Sequence, residues 1–243
     1  MNRETTNRIR FILEDVVPPI LRDSKLFKAI ASLAWGKHIG HLASFRARAP
    51  FLTDQEYEDL YKKHPRVHEG TDNSKDCIAE ILKDVVGTSV CDVGCGTGIV
   101  LKHIKNARPE ISRFMGVDFA IDDANALDGI EYEASNIEDL PFKDGEFDAV
   151  ICTHVIEHVL DYRASIAELR RITKKRLIII VPREREYRYT FNPHFNFFPY
   201  THSFLRAMQP VPQNYHCKDI RRDIYYREDI EMHVHNALPQ AAE

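Results

Sequence analysis

The feature that most limits the fold is a junction. A short β-rich run, Ser89–Val93, ends on Gly94-Cys-Gly96-Thr-Gly98, and a helical pattern through Leu101 and Ile104 follows at once. Glycines are needed where the backbone turns sharply and where a ligand approaches a space that any Cβ would fill. The helix behind such a turn presents unpaired backbone N–H groups to that ligand. The flanking sequence alternates in the same way. A helix through Ile78, Ile81, Leu82 and Val85 precedes the junction. Strands are expected at Phe114–Val117, Ile130–Ala134 and Phe147–Cys152, then a helix over about 161–172 and a fully buried strand at Leu177–Val181. Strands alternating with helices imply an α/β fold: a doubly wound, mostly parallel, Rossmann-like sheet covered on both faces. Its first strand should be central, with ligand at the carboxyl ends of the strands.

Spacing within the turn separates ligand classes. A dinucleotide fingerprint, G-x-G-x-x-G/A, needs Gly or Ala at position 99 or 101, which are Ile and Leu. A phosphate-binding P-loop needs Gly-Lys-Ser/Thr, and none lies near. The observed G-x-G-x-G, with Asp92 two positions ahead, is the form typical of S-adenosylmethionine sites. Asp118, at the end of the second expected strand and twenty positions past Gly98, is placed to accept hydrogen bonds from both ribose hydroxyls. Each such charge-assisted bond contributes about 1.5–3 kcal/mol.

The stretch Ser89–Pro182 resembles a class I S-adenosylmethionine-dependent methyltransferase of the small-molecule "type 11" group. The likeness rests on the glycine turn and on three further segments. These are Asn136-Ile-Glu-Asp-Leu-Pro-Phe142 with Asp144-Gly-Glu-Phe-Asp148, then Thr153-His-Val-Ile-Glu-His158, then Val181-Pro182. The resemblance implies S-adenosylmethionine as cofactor. Asp92, Gly94, Cys95, Gly96 and Gly98 would line its methionine and ribose side, and Asp118 would hold the ribose. Phe119 would lie beside Asp118. Asn136 stands where the family often has Asp beside the adenine amine, and Ile137 would pack on the ring. Thr153 and His154 would face the methionine end.

The implied activity is methyl transfer, read here as O-methylation of a small molecule such as a sugar, a lipid-linked precursor or a secondary metabolite. A non-catalytic S-adenosylmethionine-binding regulatory or scaffold subunit is the alternative. A hydroxyl acceptor must lose a proton, which a histidine suits. His154, where the fourth strand ends, is one candidate base; His194 and His202, in the segment after the fifth strand, are the others. His158 reads as satisfying a local hydrogen bond.

The flanks are less specific. Residues 1–70 read as a helical extension. It has helical spacing at Ile9–Val16 stopped by Pro18-Pro19, a second helix after a plausible N-cap at Asp23, and a capping box at Thr53–Glu56. Residues 1–50 hold nine Lys/Arg against four Asp/Glu. Whether these helices cap the site or pack outside it is left open. Residues 71–184 form the expected cofactor-binding core, and 185–243 an aromatic-rich lid with C-terminal strands that complete the sheet. Ser203–Met208 reads as a short helix and His216–Tyr226 as one or two strands. The aromatic run from Tyr187 to Tyr200 suits a lid or core packing, with its prolines favouring the lid.

His194, His202 and His216 are spaced by eight and fourteen residues, which matches no local metal pattern, and no metal is expected. Net charge is −4 and the pI is near 6.3, which gives no pull toward nucleic acid. Five cysteines without a C-x-x-C pair suit a reducing compartment. No signal-peptide core and no apolar run of about 18 residues is found. The expectation is a cytoplasmic protein with no integral membrane association, and homodimerisation is left open.

Overall fold

The computed structural model describes residues 8–9, 11–35, 48–53, 56, 70–121, 126–188 and 193–230. Strands β1 (Ser89–Val93), β2 (Arg113–Asp118), β3 (Glu131–Ala134), β4 (Phe147–Thr153), β5 (Thr173–Pro182), β6 (Tyr215–Ile220) and β7 (Asp223–Asp229) form one sheet. Its order is β3-β2-β1-β4-β5-β7-β6. The first five are mutually parallel, and the β6–β7 hairpin closes one side antiparallel to β5. From β1 the chain winds outward through β2 and β3, then returns to place β4 on the other side of β1. That reversal opens a crevice at the carboxyl ends of β1 and β4.

Side chains alternate along the central strands, apart from an irregularity between Phe147 and Ala149. Cys91, Val93, Val150, Cys152, Leu177 and Ile179 join one buried cluster, whereas Val90, Ala149, Ile151, Ile178 and Ile180 join the other. Two helices cover each face. Cys77 and Ile81 of α3 (Lys75–Asp84), with Leu101 and Ile104 of α4 (Ile99–Ala107), pack on the second cluster. Ile166 and Leu169 of α5 (Tyr162–Ile172), with Phe204 of α6 (Thr201–Ala207), pack on the first. The helices start where side chains cap them. Ser74 accepts from the Cys77 N–H, and Asp161 accepts from the N–H groups of Arg163 and Ala164. Truncating a fully buried residue such as Ile151 to alanine should cost about 2–5 kcal/mol.

The N-terminal region contributes a π-helical turn (Ile12–Val16), α1 (Pro19–Arg22) and α2 (Lys25–Trp35). Asp23 is not the cap of α2, contrary to the expectation. Ser24 takes that place, its Oγ accepting from the Phe27 N–H at 3.0 Å, while Asp23 accepts from the Arg188 backbone N–H at 2.9 Å. The Thr53–Glu56 capping box is formed, with reciprocal bonds of 2.9 and 3.3 Å; most of the helix it would open lies outside the described residues. Buried Glu14 and half-buried Arg222, on the β6–β7 turn, form an ion pair at 2.7 Å, which Asp15 extends. Since Asp223 pairs with Pro182, this contact anchors the extension at the carboxyl end of β5, the same end as the crevice.

The aromatic segment divides. Tyr187 and Phe198 are buried, and Phe198 packs edge-on against Phe204 and Tyr162 as core, not as lid. Tyr189 and Phe191 lie outside the described residues, as do the last thirteen positions. Among the described residues no helix is long and apolar enough to cross a membrane.

Candidate active site

The glycine loop leaves β1 at the crevice. Gly94, Gly96 and Gly98 all have positive φ (79°, 56° and 74°), which L side chains rarely adopt. Two of them are also held by close neighbours. A Cβ on Gly94 would lie 2.1 Å from Val155 Cγ2, and one on Gly98 would lie 2.3 Å from Tyr132 Oη. The backbone N–H groups of Gly94 and Cys95 both donate to the Val117 carbonyl, at 2.7 and 2.9 Å, which pins the loop to β2. Asp118, ending β2, accepts from the Gly96 N–H at 2.7 Å. The carboxylate expected to hold a ribose therefore already sits against the expected loop. Asp92, in β1 just ahead of that loop, is 1 % exposed, and Cys95, within the loop, is buried.

The remaining expected contacts separate by environment. Phe119 is exposed next to Asp118, and Ile137 is buried in the core cluster. Asn136 is exposed, with its Oδ1 accepting from the Glu138 N–H at 3.0 Å, so this oxygen closes a turn. Thr153, the last residue of β4, is buried and accepts from Asn73 Nδ2 at 2.9 Å. Asn73 belongs to a loop ahead of α3, and Gly70 of the same loop would bring a Cβ to 3.6 Å from Ile99 of α4. This loop thus runs from the start of α4 to the end of β4. Buried Asn73 Oδ1 has no hydrogen-bond partner, the condition of an acceptor kept for a ligand. The sequence reading missed Asn73, since it lies ahead of every motif that was recognised.

Residues 91–181 match the family described as "Methyltransferase domain". That stretch is similar to a methyltransferase domain. A ubiquinone/menaquinone biosynthesis C-methyltransferase from Citrifermentans bemidjiense is 30% identical over 95 residues, covering 35% of this chain and 40% of that protein. A ubiquinone biosynthesis O-methyltransferase from Xanthomonas oryzae is 32% identical over 104 residues, covering 37% and 41%. This chain spans between 31% and 43% of the length of the curated relatives it matches. In fold, it is similar to a SAM-dependent methyltransferase from Aquifex aeolicus, with TM-score 0.50 and 16% identity over 74% of this chain and all of that one. S-adenosylmethionine is the cofactor of a domain of this kind, and the loop fits it: Gly96, with positive φ, brings backbone that bears no side chain against the Asp118 carboxylate.

Three histidines gather where β4 ends. His154 has φ +56°, rare for a non-glycine residue, and its Nδ1 lies 3.6 Å from Glu157 Oε1. Its Nε2 is buried without a hydrogen-bond partner. Burial alone would lower the His154 pKa, but Glu157, with Asp223 and Asp72 behind it, raises it overall. Burial would likewise raise Glu157, yet His154 and its neighbours hold that carboxyl below its ordinary range. His158 is driven down to about 4, by burial first and then by nearby His194. Its Nδ1 meets the Pro193 carbonyl at 3.2 Å, so the hydrogen bond expected to be local is made instead with a loop distant in sequence.

His194 packs edge-on against His158, centroids 4.6 Å apart, and its Nδ1 lies 2.6 Å from Glu184 Oε2. The loop holding His194 is clamped to the turn after β4. Phe195 and Asn196 N–H groups donate to the Glu157 carbonyl, and Asn196 Nδ2 donates to the Ile156 and Val159 carbonyls. His202 does not join this group: it is exposed on α6 and stacks on Tyr200. Glu157 and Glu184, each 1 % exposed, were not singled out as site residues from the sequence. A buried glutamate is the only signal they carry, and burial is not legible before the fold is known.

Proposed function

We propose that this protein transfers the methyl group of S-adenosylmethionine to an oxygen atom of a small-molecule acceptor. The reading rests on one observation above the rest: a positive-φ glycine loop at the strand reversal, with Asp118 against it. When bound, the cofactor supplies an activated sulfonium methyl, so the protein's work is mainly in-line alignment and exclusion of water. Asp118 would accept from the ribose hydroxyls. Thr153 and Asn73 would border the methionine end. His154 is the histidine placed to take the proton of an acceptor hydroxyl, because it directly follows β4 at the crevice and its Nε2 has no hydrogen-bond partner. His202, exposed on α6, is no longer offered for that role. Relatives that methylate carbon and relatives that methylate oxygen both match this domain; the choice of oxygen rests on His154.

Calorimetric titration with S-adenosylmethionine and S-adenosylhomocysteine tests the cofactor site. Asp118→Ala should weaken both by about 10- to 100-fold, the worth of one charge-assisted hydrogen bond. Unchanged affinity would remove Asp118 from the site. Transfer of a deuterated methyl group to a panel of phenols and sugars, followed by mass spectrometry, tests the acceptor. Label appearing only on carbon would overturn the assignment to oxygen.

A further inference from the structure

We propose that Glu157, His158 and His194 bind one divalent transition metal ion of the borderline class that includes Zn2+. One carboxylate oxygen and one ring nitrogen from each histidine lie within 4.8 Å of one another. The spacing of His194, His202 and His216 gives no metal pattern, but the fold joins His194 instead to Glu157 and His158, far earlier in the chain.

The surroundings are those of a ligand set. A carbonyl oxygen can only accept, so His158 Nδ1, which meets the Pro193 carbonyl, must carry the proton. The same reasoning applies to His194 Nδ1, which meets the Glu184 carboxylate at 2.6 Å. Both Nε2 atoms then hold lone pairs, and outer acceptors fix both rings, as for histidines that bind metals. His158 Nε2 lies 3.9 Å from Glu157 Oε1, against the roughly 3.3 Å between ligands of a tetrahedral zinc ion. A contraction of about half an ångström would complete that edge.

A second observation points the same way. Glu157 Oε2 is buried, in a side chain 1 % exposed, and has no hydrogen-bond partner. An ionised carboxylate oxygen held dry is costly unless a cation meets it. Two imidazoles and one carboxylate suit Zn2+, Mn2+, Fe2+ or Co2+ better than Mg2+ or Ca2+. Three protein ligands leave a coordination position for water or an acceptor oxygen.

The full chain, stripped with a chelator and dialysed, would be titrated with Zn2+ against a chromogenic competitor. One equivalent per chain is expected, together with a rise in Tm. His194→Gln and His158→Gln should each weaken Zn2+ at least 100-fold, and Glu184→Gln about 10- to 100-fold. S-adenosylhomocysteine affinity, measured in parallel, reports whether each variant is folded and keeps this result separate from the methyltransferase reading. Co2+ substitution should give absorption without sulfur charge-transfer bands. Sulfur bands would assign the ion to a cysteine, and Zn2+ affinity unchanged in folded His194→Gln would assign it elsewhere. Either result, or no stoichiometric binding, overturns the proposal.

Discussion

At the amino-terminal end of the sheet, buried charges are answered. Glu228, 0 % exposed, takes two bonds from Arg170 (2.6 and 2.8 Å) and one from the Tyr226 hydroxyl. Asp148 accepts from the Thr88 N–H at 2.8 Å and pairs with Lys175 at 2.9 Å. At the carboxyl end, Asn73 Oδ1, His154 Nε2 and Glu157 Oε2 are buried with no hydrogen-bond partner. Native folds rarely leave such atoms unanswered. The contrast assigns stability to one end and ligand chemistry to the other, and it can be broken from either side.

The largest effect should come at the stable end. Arg170→Ala strands the Glu228 carboxylate in the core and should cost about 3–5 kcal/mol in urea unfolding, while S-adenosylhomocysteine affinity stays within twofold. A parallel loss of affinity would mean that the two ends are not separable. Next is Gly94→Ala, whose new methyl would fall on Val155. We expect on the order of 100-fold weaker S-adenosylmethionine binding, with a smaller stability cost of about 1–3 kcal/mol. Retained affinity would show that the loop has room the structure does not display.

The smallest effect concerns pH. Burial would raise the Asp148 pKa, but the Thr88 N–H and Lys175 outweigh it and lower the carboxyl below 3.8. The stability it confers is therefore present above pH 3.8 and lost as pH falls through the lower folded value. Asp148→Asn should cost about 1–2 kcal/mol at pH 7, and its gap from wild type should close below about pH 3.8. A gap that persists in acid would show that packing against Gly87, not charge, matters there.

The parts visible in the sequence are those built from neighbours along the chain. Strand, loop and helix from Ser89 to Ala107 are contiguous, so residue type and spacing were enough to place them. β5 was expected at Leu177–Val181 but runs Thr173–Pro182. Its first residues include Lys174 and Lys175, exposed at the sheet's end, and the flanking pairs Thr173–Phe147 and Arg176–Ala149 on β4 hold this stretch extended where hydrophobicity gives no sign. Asp23 has the right chemistry for a cap, but a strand-end segment 165 positions away claims its carboxylate. The histidine group was hidden for the same reason. His158 follows β4 and His194 follows β5, and only the parallel pairing of those strands makes the two segments neighbours.

The Val155 methyl fills the space that a side chain on Gly94 would occupy, and Val155 sits between His154 and Glu157 in sequence. The glycine loop and the histidine turn thus meet in a steric contact. Displacing either one presses on the other. Gly94 is therefore constrained from outside its own loop: added volume at position 155 would crowd the glycine turn just as a side chain at 94 would.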